Sequence, residues 1–336
     1  MKKCFERIKI TIKENYKFLI FLVAFYFTLT IPLPYYIHAP GGLIDISSKV
    51  KIENEVDING SLNLSYVTEM RGNVLTYLLS YVVPGWDLTS KDNYALENET
   101  YEDVLYRNKL MLEEANANAT IVAYTKANKE IKIKKQNYYV IYVDEKADTT
   151  LKVGDEIINI EGSNISSMKD YINIVSKANV GDNLNIKVID RDGIEKVRSA
   201  KVFLRDDVKV TGIIAISKYD LETKPNIEFD FKESESGPSG GLMMTLAIYN
   251  KLTDEDLTKG LKIVGTGTID VDGNVGEISG IEYKIKGAVK EGADLFIAPS
   301  GKNYDEALAI IKENHYNIDI IGVSTFDDAL NYLKSM

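Results

Sequence analysis

Glu235-Ser236-Gly237-Pro238-Ser239-Gly240-Gly241, running straight into Leu242-Met243-Met244-Thr245-Leu246-Ala247-Ile248-Tyr249, is the stretch on which the reading of this chain turns. The second part is apolar with helical spacing. The first part is a turn, because a proline among three glycines favours no regular element. A serine on such a turn points its hydroxyl outward, and its small neighbours let a carbonyl approach N–H groups at the positive end of the helix dipole. A plainer role fits the same residues, since a serine just before an apolar helical run is an ordinary N-cap.

Downstream come Val264-Gly265-Thr266-Gly267-Thr268-Ile269, an Asp272-Gly273 hairpin turn, and Gly280-Ile281-Glu282-Tyr283-Lys284-Ile285-Lys286-Gly287-Ala288-Val289. A helix beginning near Glu282 gathers Ile281, Ile285, Ala288 and Val289 into one apolar stripe, with Lys286 and Lys290 opposite and Lys284 at the border. A lysine at that border either packs its stem and extends its ammonium to water, or keeps the amine inside, desolvated and able to serve as a base. The chain has two histidines, His38 and His315, and neither lies in a catalytic pattern. Its one cysteine, Cys4, lies in a short basic head and reads as incidental. A nucleophilic serine needs a base, and lysine is the better candidate. These histidine and cysteine counts disfavour zinc. A net charge of −10 disfavours nucleic acid. No G-x-x-x-x-G-K-[ST] occurs to cradle a nucleotide.

Taken in order, Gly237-Pro238-Ser239-Gly240-Gly241, Thr266-Gly267, Gly273-x-Val275-Gly276, Ile278-x-Gly280-Ile281-x-x-Lys284 and Gly292-Ala293-x-x-Phe296-Ile297-Ala298-Pro299 resemble the Lon-type serine peptidases. The resemblance implies Ser239 as nucleophile and Lys284 as general base. It implies Thr266 as the hydrogen-bond partner that holds the amine, with Gly237, Pro238 and Gly240 shaping the turn. Many members carry an aspartate three positions before the serine, where this chain has Ser236.

In the middle of the chain, Asn116-Ala117-Asn118-Ala119 reads as turn-prone and residues 138–143 as a β-strand. Then follow Leu151-Lys152-Val153-Gly154-Asp155-Glu156-Ile157-Ile158-Asn159-Ile160-Glu161-Gly162, a helix over 168–177, and strands over 183–190 and 196–203. The string L-x-x-G-D-x-I-x-x-I-x-G resembles a PDZ domain. That resemblance implies an open strand edge at Tyr139, Val140, Ile141, Tyr142 and Val143, to which an extended peptide adds, with the loop 136–139 as carboxylate cradle. The other role for such a segment is to space or brace the catalytic half. Earlier in the chain, 40–46 and 60–67 alternate like half-buried strands, 71–81 reads as a helix, and the acidic run 95–117 reads as helix with a solvated face.

Lys2, Lys3, Arg7, Lys9, Lys13 and Lys17 precede an apolar run that continues through Pro32-Leu33-Pro34 to Tyr35-Tyr36. About 20 apolar residues span a bilayer, so residues 18–37 read as one transmembrane helix, with an aromatic edge at the far interface and the basic head in the cytosol. The rival is a cleaved signal peptide, against which stand the length of the run and the lack of an A-x-A site.

The whole arrangement resembles the membrane-anchored PDZ–Lon peptidases of Gram-positive bacteria. It implies an α+β protein with a Lon-type peptidase domain, an inserted PDZ-like β-rich domain and one preceding transmembrane helix. The expected segments are a cytosolic head (1–17), an anchor (18–37), the first half of the peptidase domain (38–128), the PDZ-like domain (129–206) and the catalytic half (207–336). The expected activity is that of an ATP-independent serine endopeptidase at the outer face of the cell membrane, cutting exposed or flexible peptides and proteins by a Ser–Lys dyad through an acyl-enzyme. Its partners would be peptide or protein substrates and the membrane, with no nucleic acid, nucleotide, metal or cofactor. The competing class is a catalytically inert surface module that binds peptides through the PDZ-like domain.

Overall fold

The computed structural model describes residues 2–53, 59–90, 99–232, 234–235, 237–253 and 255–336. Ser236 lies outside the described residues, as does the side chain of Cys4. In chain order, helix α1 (Lys2–Thr30) leads to β1 (Pro32–Asp45), β2 (Val50–Ile52), β3 (Ser61–Asn73), α2 (Val74–Ser80) and β4 (Asp87–Ser90). Then come α3 (Tyr101–Lys126), β5 (Glu130–Val143), β6 (Glu156–Ile160), β7 (Ser163–Asn164), α4 (Met168–Lys177), β8 (Asn183–Ile189), β9 (Glu195–Lys201), β10 (Phe203–Arg205), β11 (Val208–Val210), β12 (Ile213–Lys224) and β13 (Ile227–Phe229). The last part holds α5 (Gly241–Leu252), β14 (Lys262–Gly265), β15 (Thr268–Ile269), β16 (Val275–Gly276), α6 (Ile281–Lys290), β17 (Leu295–Pro299), α7 (Lys302–Glu313), β18 (Asp319–Val323) and α8 (Phe326–Ser335).

The chain forms two compact units, Met1–Gly41 with Val67–Leu96, and Gly42–Tyr66 with Glu97–Met336. In the first, β1 pairs antiparallel with β4 from Tyr35↔Ser90 to His38↔Asp87, and a capping box between Asn73 and Thr76 starts α2. The spanning helix expected over 18–37 is not what this segment forms. The helix stops at Thr30, and from Pro32 the chain is strand. Pro32 and Pro34 have no N–H to give a helix, and a residue before proline is pushed to extended geometry. The apolar stretch left inside α1, residues 18–30, is about 20 Å long at 1.5 Å per residue, against about 30 Å of bilayer hydrocarbon. Among the described residues no helix is long and apolar enough to cross a membrane.

The second unit is built on parallel strands. β3 pairs with β14 from Ser61↔Lys262 to Leu64↔Gly265, β14 with β17, and β17 with β18. Alternation along these strands feeds two cores. Leu62, Ile263, Leu295 and Ile297 face α5, α3 and α8, while Val264, Phe296 and Ala298 face α6 and α7. Both faces are covered because each crossover between parallel strands carries a helix. This layer of parallel strands stands beside the antiparallel sheet formed by β12, β5, β6, β8 and β9, so the unit mixes helices with sheets of both kinds.

Helix α3 departs from the sequence reading. The Asn116 to Ala119 stretch lies in the helix interior, not in a turn; of the run 95–117, residues 95–98 lie outside the described residues, the first turns of α3 keep the expected solvated face, and its second half is buried. Ala115, Ala119, Val122 and Ala123 pack on α5, and buried Asn118 donates through Nδ2 to the Ile269 carbonyl at 3.0 Å. Small alanines let the two helices meet, and this packing overrides the weak local turn signal.

Residues 138–202 carry a core of their own, with Val140, Ile157, Ile160, Tyr171, Val175, Ile186 and Val188 among its members. They are not divided off as a compact unit by themselves. The antiparallel order is β12-β5-β6-β8-β9.

Candidate active site

Helix α5 is buried along almost its whole length, as its apolar sequence requires. Its N-cap is Gly240, and no side chain caps it. The plainer role for Ser239, capping this helix, is therefore not the one its hydroxyl plays. The turn before the helix is held by its main chain. Gly237, at φ +106°, occupies a conformation that side chains disfavour. Its N–H donates to the Asn108 carbonyl of α3 at 3.2 Å, and Gly241 N–H donates to the Pro238 carbonyl at 3.2 Å. A Cβ at Gly241 would lie 2.8 Å from the Ile269 nitrogen, so only glycine lets α5 begin this close to β15.

The Ser239 carbonyl accepts two bonds, from Gly267 N–H at 2.8 Å and from the Thr266 hydroxyl at 3.1 Å. Thr266 is fully buried, with its own N–H bonded to the Ile297 carbonyl at 3.0 Å. Its single hydroxyl hydrogen is directed to Ser239, so towards Lys284 the hydroxyl can only accept. Lys284 Nζ donates to Thr266 Oγ1 at 2.8 Å. The lysine is 3% exposed, so of the two readings open at the stripe's border its amine takes the inward one. Helix α6 that carries it begins at Gly280 in the left-handed region and buries Ile281, Ile285 and Ala288, the expected stripe. Lys286 lies on the outer side and pairs with Glu282. The Asp272-Gly273 turn joins the antiparallel strands β15 and β16.

Before the turn, Lys49 Nζ lies 2.7 Å from the Glu235 carboxylate, which also accepts from Lys232 N–H at 2.9 Å. Burial pushes the Glu235 carboxyl up, but the Lys232 N–H and the Lys49 ammonium outweigh it and hold the group below the ordinary carboxylate range. The structure thus brings Gly237, Pro238, Ser239, Gly240, Thr266 and Lys284 into one neighbourhood. The sequence reading missed the Asn108 carbonyl, the Lys49–Glu235 pair and Ser65, whose hydroxyl donates to the Lys284 carbonyl at 2.8 Å. Each is a long-range contact without a local motif. The alternation of strand 60–67 was the one signal that singled out which side Ser65 faces.

The residues expected to form an open peptide-binding edge are placed elsewhere. Tyr139, Val140, Tyr142 and Val143 pair with Ile216, Ala215, Ile214 and Ile213 of β12, with a register shift that leaves Ile141 between the pairs. On the other side Tyr138 and Tyr139 pair with β6, and Val140 exchanges bonds with Asp155 and Gly154. Strand β5 is internal to its sheet. The β-branched run of β12 returns antiparallel along it and occupies the edge an added peptide would need.

Residues 227–335 match the family described as the Lon protease (S16) C-terminal proteolytic domain, a serine peptidase domain. The chain is similar to the Lon protease of Campylobacter jejuni, at 34% identity over 29% of this chain and 12% of that protein. It is likewise similar to the Lon protease of Campylobacter concisus, at 37% over 29% and 12%, and to Lon protease 2 of Bacillus subtilis, at 32% over 34% and 19%. The matched segment spans less than a fifth of the length of these relatives. Among solved structures, the PDZ domain of an SdrC-like protein from Listeria monocytogenes overlaps 25% of this chain and 93% of its own, at 22% identity and a TM-score of 0.23.

Proposed function

We propose that the chain is a serine endopeptidase working through Ser239 and Lys284 without nucleotide or metal. The observation that carries the reading is the buried Lys284 amine, bonded to a Thr266 hydroxyl that is itself committed to the Ser239 main chain. Burial disfavours the charged form of a lysine. A neutral amine has two hydrogens and one lone pair. One hydrogen goes to Thr266, which leaves the lone pair to take the Ser239 proton as the serine oxygen attacks a peptide carbonyl. Negative charge then develops on the carbonyl oxygen beside the N–H groups of the turn that opens α5, where the helix dipole favours it. The protonated lysine gives its proton to the leaving amine, the peptide C–N bond breaks, and Ser239 holds the acyl group. Water, losing a proton to the same lysine, releases the acid and restores the serine.

Substrates are proposed to be exposed or flexible polypeptides, since the sequence holds no phosphate-binding loop to power unfolding. A location at a membrane surface is proposed with it. Phe18, Ile20, Phe21, Val23, Tyr26 and Phe27 of α1 are exposed, and exposed Arg7, Lys9, Lys13 and Lys17 precede them, a combination that suits anionic lipid. The catalytically inert alternative depended on the edge at residues 139–143, which β12 fills.

The deciding experiment incubates the purified full chain and its Ser239→Ala variant with an unstructured polypeptide in EDTA without nucleotide, alongside a fluorophosphonate label. The wild type cleaves and is labelled at Ser239, and the variant does neither. Cleavage by Ser239→Ala at the wild-type rate, or dependence on nucleotide or metal, overturns the proposal.

A further inference from the structure

Lys284 is gripped at two points by one face of the parallel sheet. At the tip of its side chain, Nζ donates to Thr266 Oγ1 at 2.8 Å. At its backbone end, the carbonyl accepts the Ser65 hydroxyl at 2.8 Å, across a separation of 219 residues. Ser65 is fully buried. The parallel register Leu64↔Gly265 sets the next residues of the two chains, Ser65 and Thr266, side by side. Alternation sends both the same way. Leu62, Leu64 and Ile263 pack towards α5, while Val264 packs towards α6, and Ser65 and Thr266 fall on the α6 side with it.

The Lys284 carbonyl sits inside α6, within reach of the Ala288 N–H four residues on. It is not an orphan acceptor at a helix end that needs a side chain to satisfy it. What the Ser65 bond adds is location, because it ties one peptide of α6 to one residue of β3. A lysine side chain is long and has many rotamers, so a fixed tip without a fixed base would leave the amine free to approach Thr266 in several ways.

We propose that Ser65 is a positioning residue for the base: its hydroxyl sets where α6 sits along the sheet and so sets how the Lys284 amine reaches Thr266 and the nucleophile turn. The proposal rests on the Ser239–Lys284 reading above. With the hydroxyl gone, α6 loses its tie to β3 at Lys284, the amine samples wetter positions, and fewer approaches to Ser239 are productive. Misplacement of a reacting group by about 1 Å can cost on the order of a hundredfold in rate.

The test measures kcat and KM for a fluorogenic peptide across pH with the full chain, as wild type, Ser65→Ala and Ser65→Thr. Ser65→Ala lowers kcat about tenfold or more, leaves KM within about twofold because no substrate contact is lost, and moves the rising limb of the pH profile upward as the amine gains water. Ser65→Thr keeps the hydroxyl and returns the limb to its wild-type position. The folded fraction is measured by circular dichroism at each pH and kcat is divided by it, which separates a shift in the base from pH-linked unfolding of a variant. A Ser65→Ala profile with the wild-type midpoint, whatever its kcat, overturns the proposal and leaves Ser65 a structural contact. Failure of the underlying reading is seen separately, as a wild type that fluorophosphonate does not label or that keeps its activity in Lys284→Arg.

Discussion

At the residue scale, the proposed dyad depends on one buried amine, that of Lys284. An unperturbed lysine, with a pKa near ~10.4, is almost wholly protonated at neutral pH and cannot accept a proton. The 3% exposure of Lys284 disfavours the charged form, and the Thr266 hydroxyl that its amine meets carries no charge of its own. Arginine stays charged at any accessible pH, so Lys284→Arg should be as inactive as Lys284→Ala, a loss of about a thousandfold or more in kcat for removal of the base. The wild-type rate should rise with pH through a midpoint well below ~10.4. Retained activity in Lys284→Arg would move the base elsewhere. The sequence exposed the residue types and their order, but placed Lys284 only at the border of a stripe. The packing of α6 against Val264, Phe296 and Ala298 turned that border inward.

At the element scale, α5 and α3 frame the nucleophile turn. Gly241→Ala would set a methyl 2.8 Å from the main chain at Ile269, and overpacking against backbone costs about 1–3 kcal/mol. Thermal unfolding should show a Tm several degrees lower, since 1 kcal/mol is worth roughly 2–4 °C in a protein of this size or somewhat smaller. An unchanged Tm would mean that the start of α5 is not as tightly seated as described. On α3, Glu114 accepts from the Ser217 N–H of β12 at 3.1 Å. Burial pushes its carboxyl up, and the Ser217 bond only partly opposes this. A carboxyl raised in the folded state binds its proton more tightly there than in the unfolded chain. Its charge therefore costs stability at neutral pH, and that cost is relieved as pH falls through the folded value. Glu114→Gln keeps the acceptor and removes the charge, so its Tm should exceed the wild type at pH 7 and the two should converge in acid. A lower Tm at pH 7 would show that the carboxylate itself is needed. The Asn116 to Ala119 stretch shows why α3 was only half legible. Its asparagines are common turn formers, and nothing local announces that its alanines face another helix.

For the whole molecule, the segment between α3 and β13 is braced within itself. Arg198 Nε and Nη2 donate to the Asp155 carboxylate at 3.0 and 3.1 Å, and Asp155 is 1% exposed. Arg198→Met leaves that carboxylate buried and unpaired, a change that costs about 3–5 kcal/mol. The pair lies by the core of residues 138–202 and apart from the one around α5. Amide hydrogen exchange should therefore accelerate in β6, β8 and β9 while α5 stays protected and Ser239 still takes the fluorophosphonate. Equal acceleration in α5 would show one cooperative unit. Strand β12, lying along β5, also removes the simplest way for this segment to capture a peptide.

Local spacing and residue chemistry, carried by the sequence alone, determined the order of the serine, threonine and lysine motifs, the apolar helix after Ser239, the α6 stripe, the Asp272-Gly273 hairpin and helix α4. Apart from the motif order, which runs from Ser239 to Lys284, each is encoded within about a dozen residues, by periodicity, turn chemistry or a cap, and needs no partner to be read. The tertiary structure alone decided that Ser239 does not cap α5, that Lys284 is inside, that Ser65 and Thr266 hold its two ends and that β12 fills the β5 edge. These depend on which faces meet across 18 to more than 200 residues, information that hydrophobic patterning does not contain. The end of the first helix at Thr30 belongs instead to the sequence, written in Pro32 and Pro34, where hydropathy and backbone chemistry disagreed. The backbone set the outcome, because a helix cannot use an N–H that proline lacks.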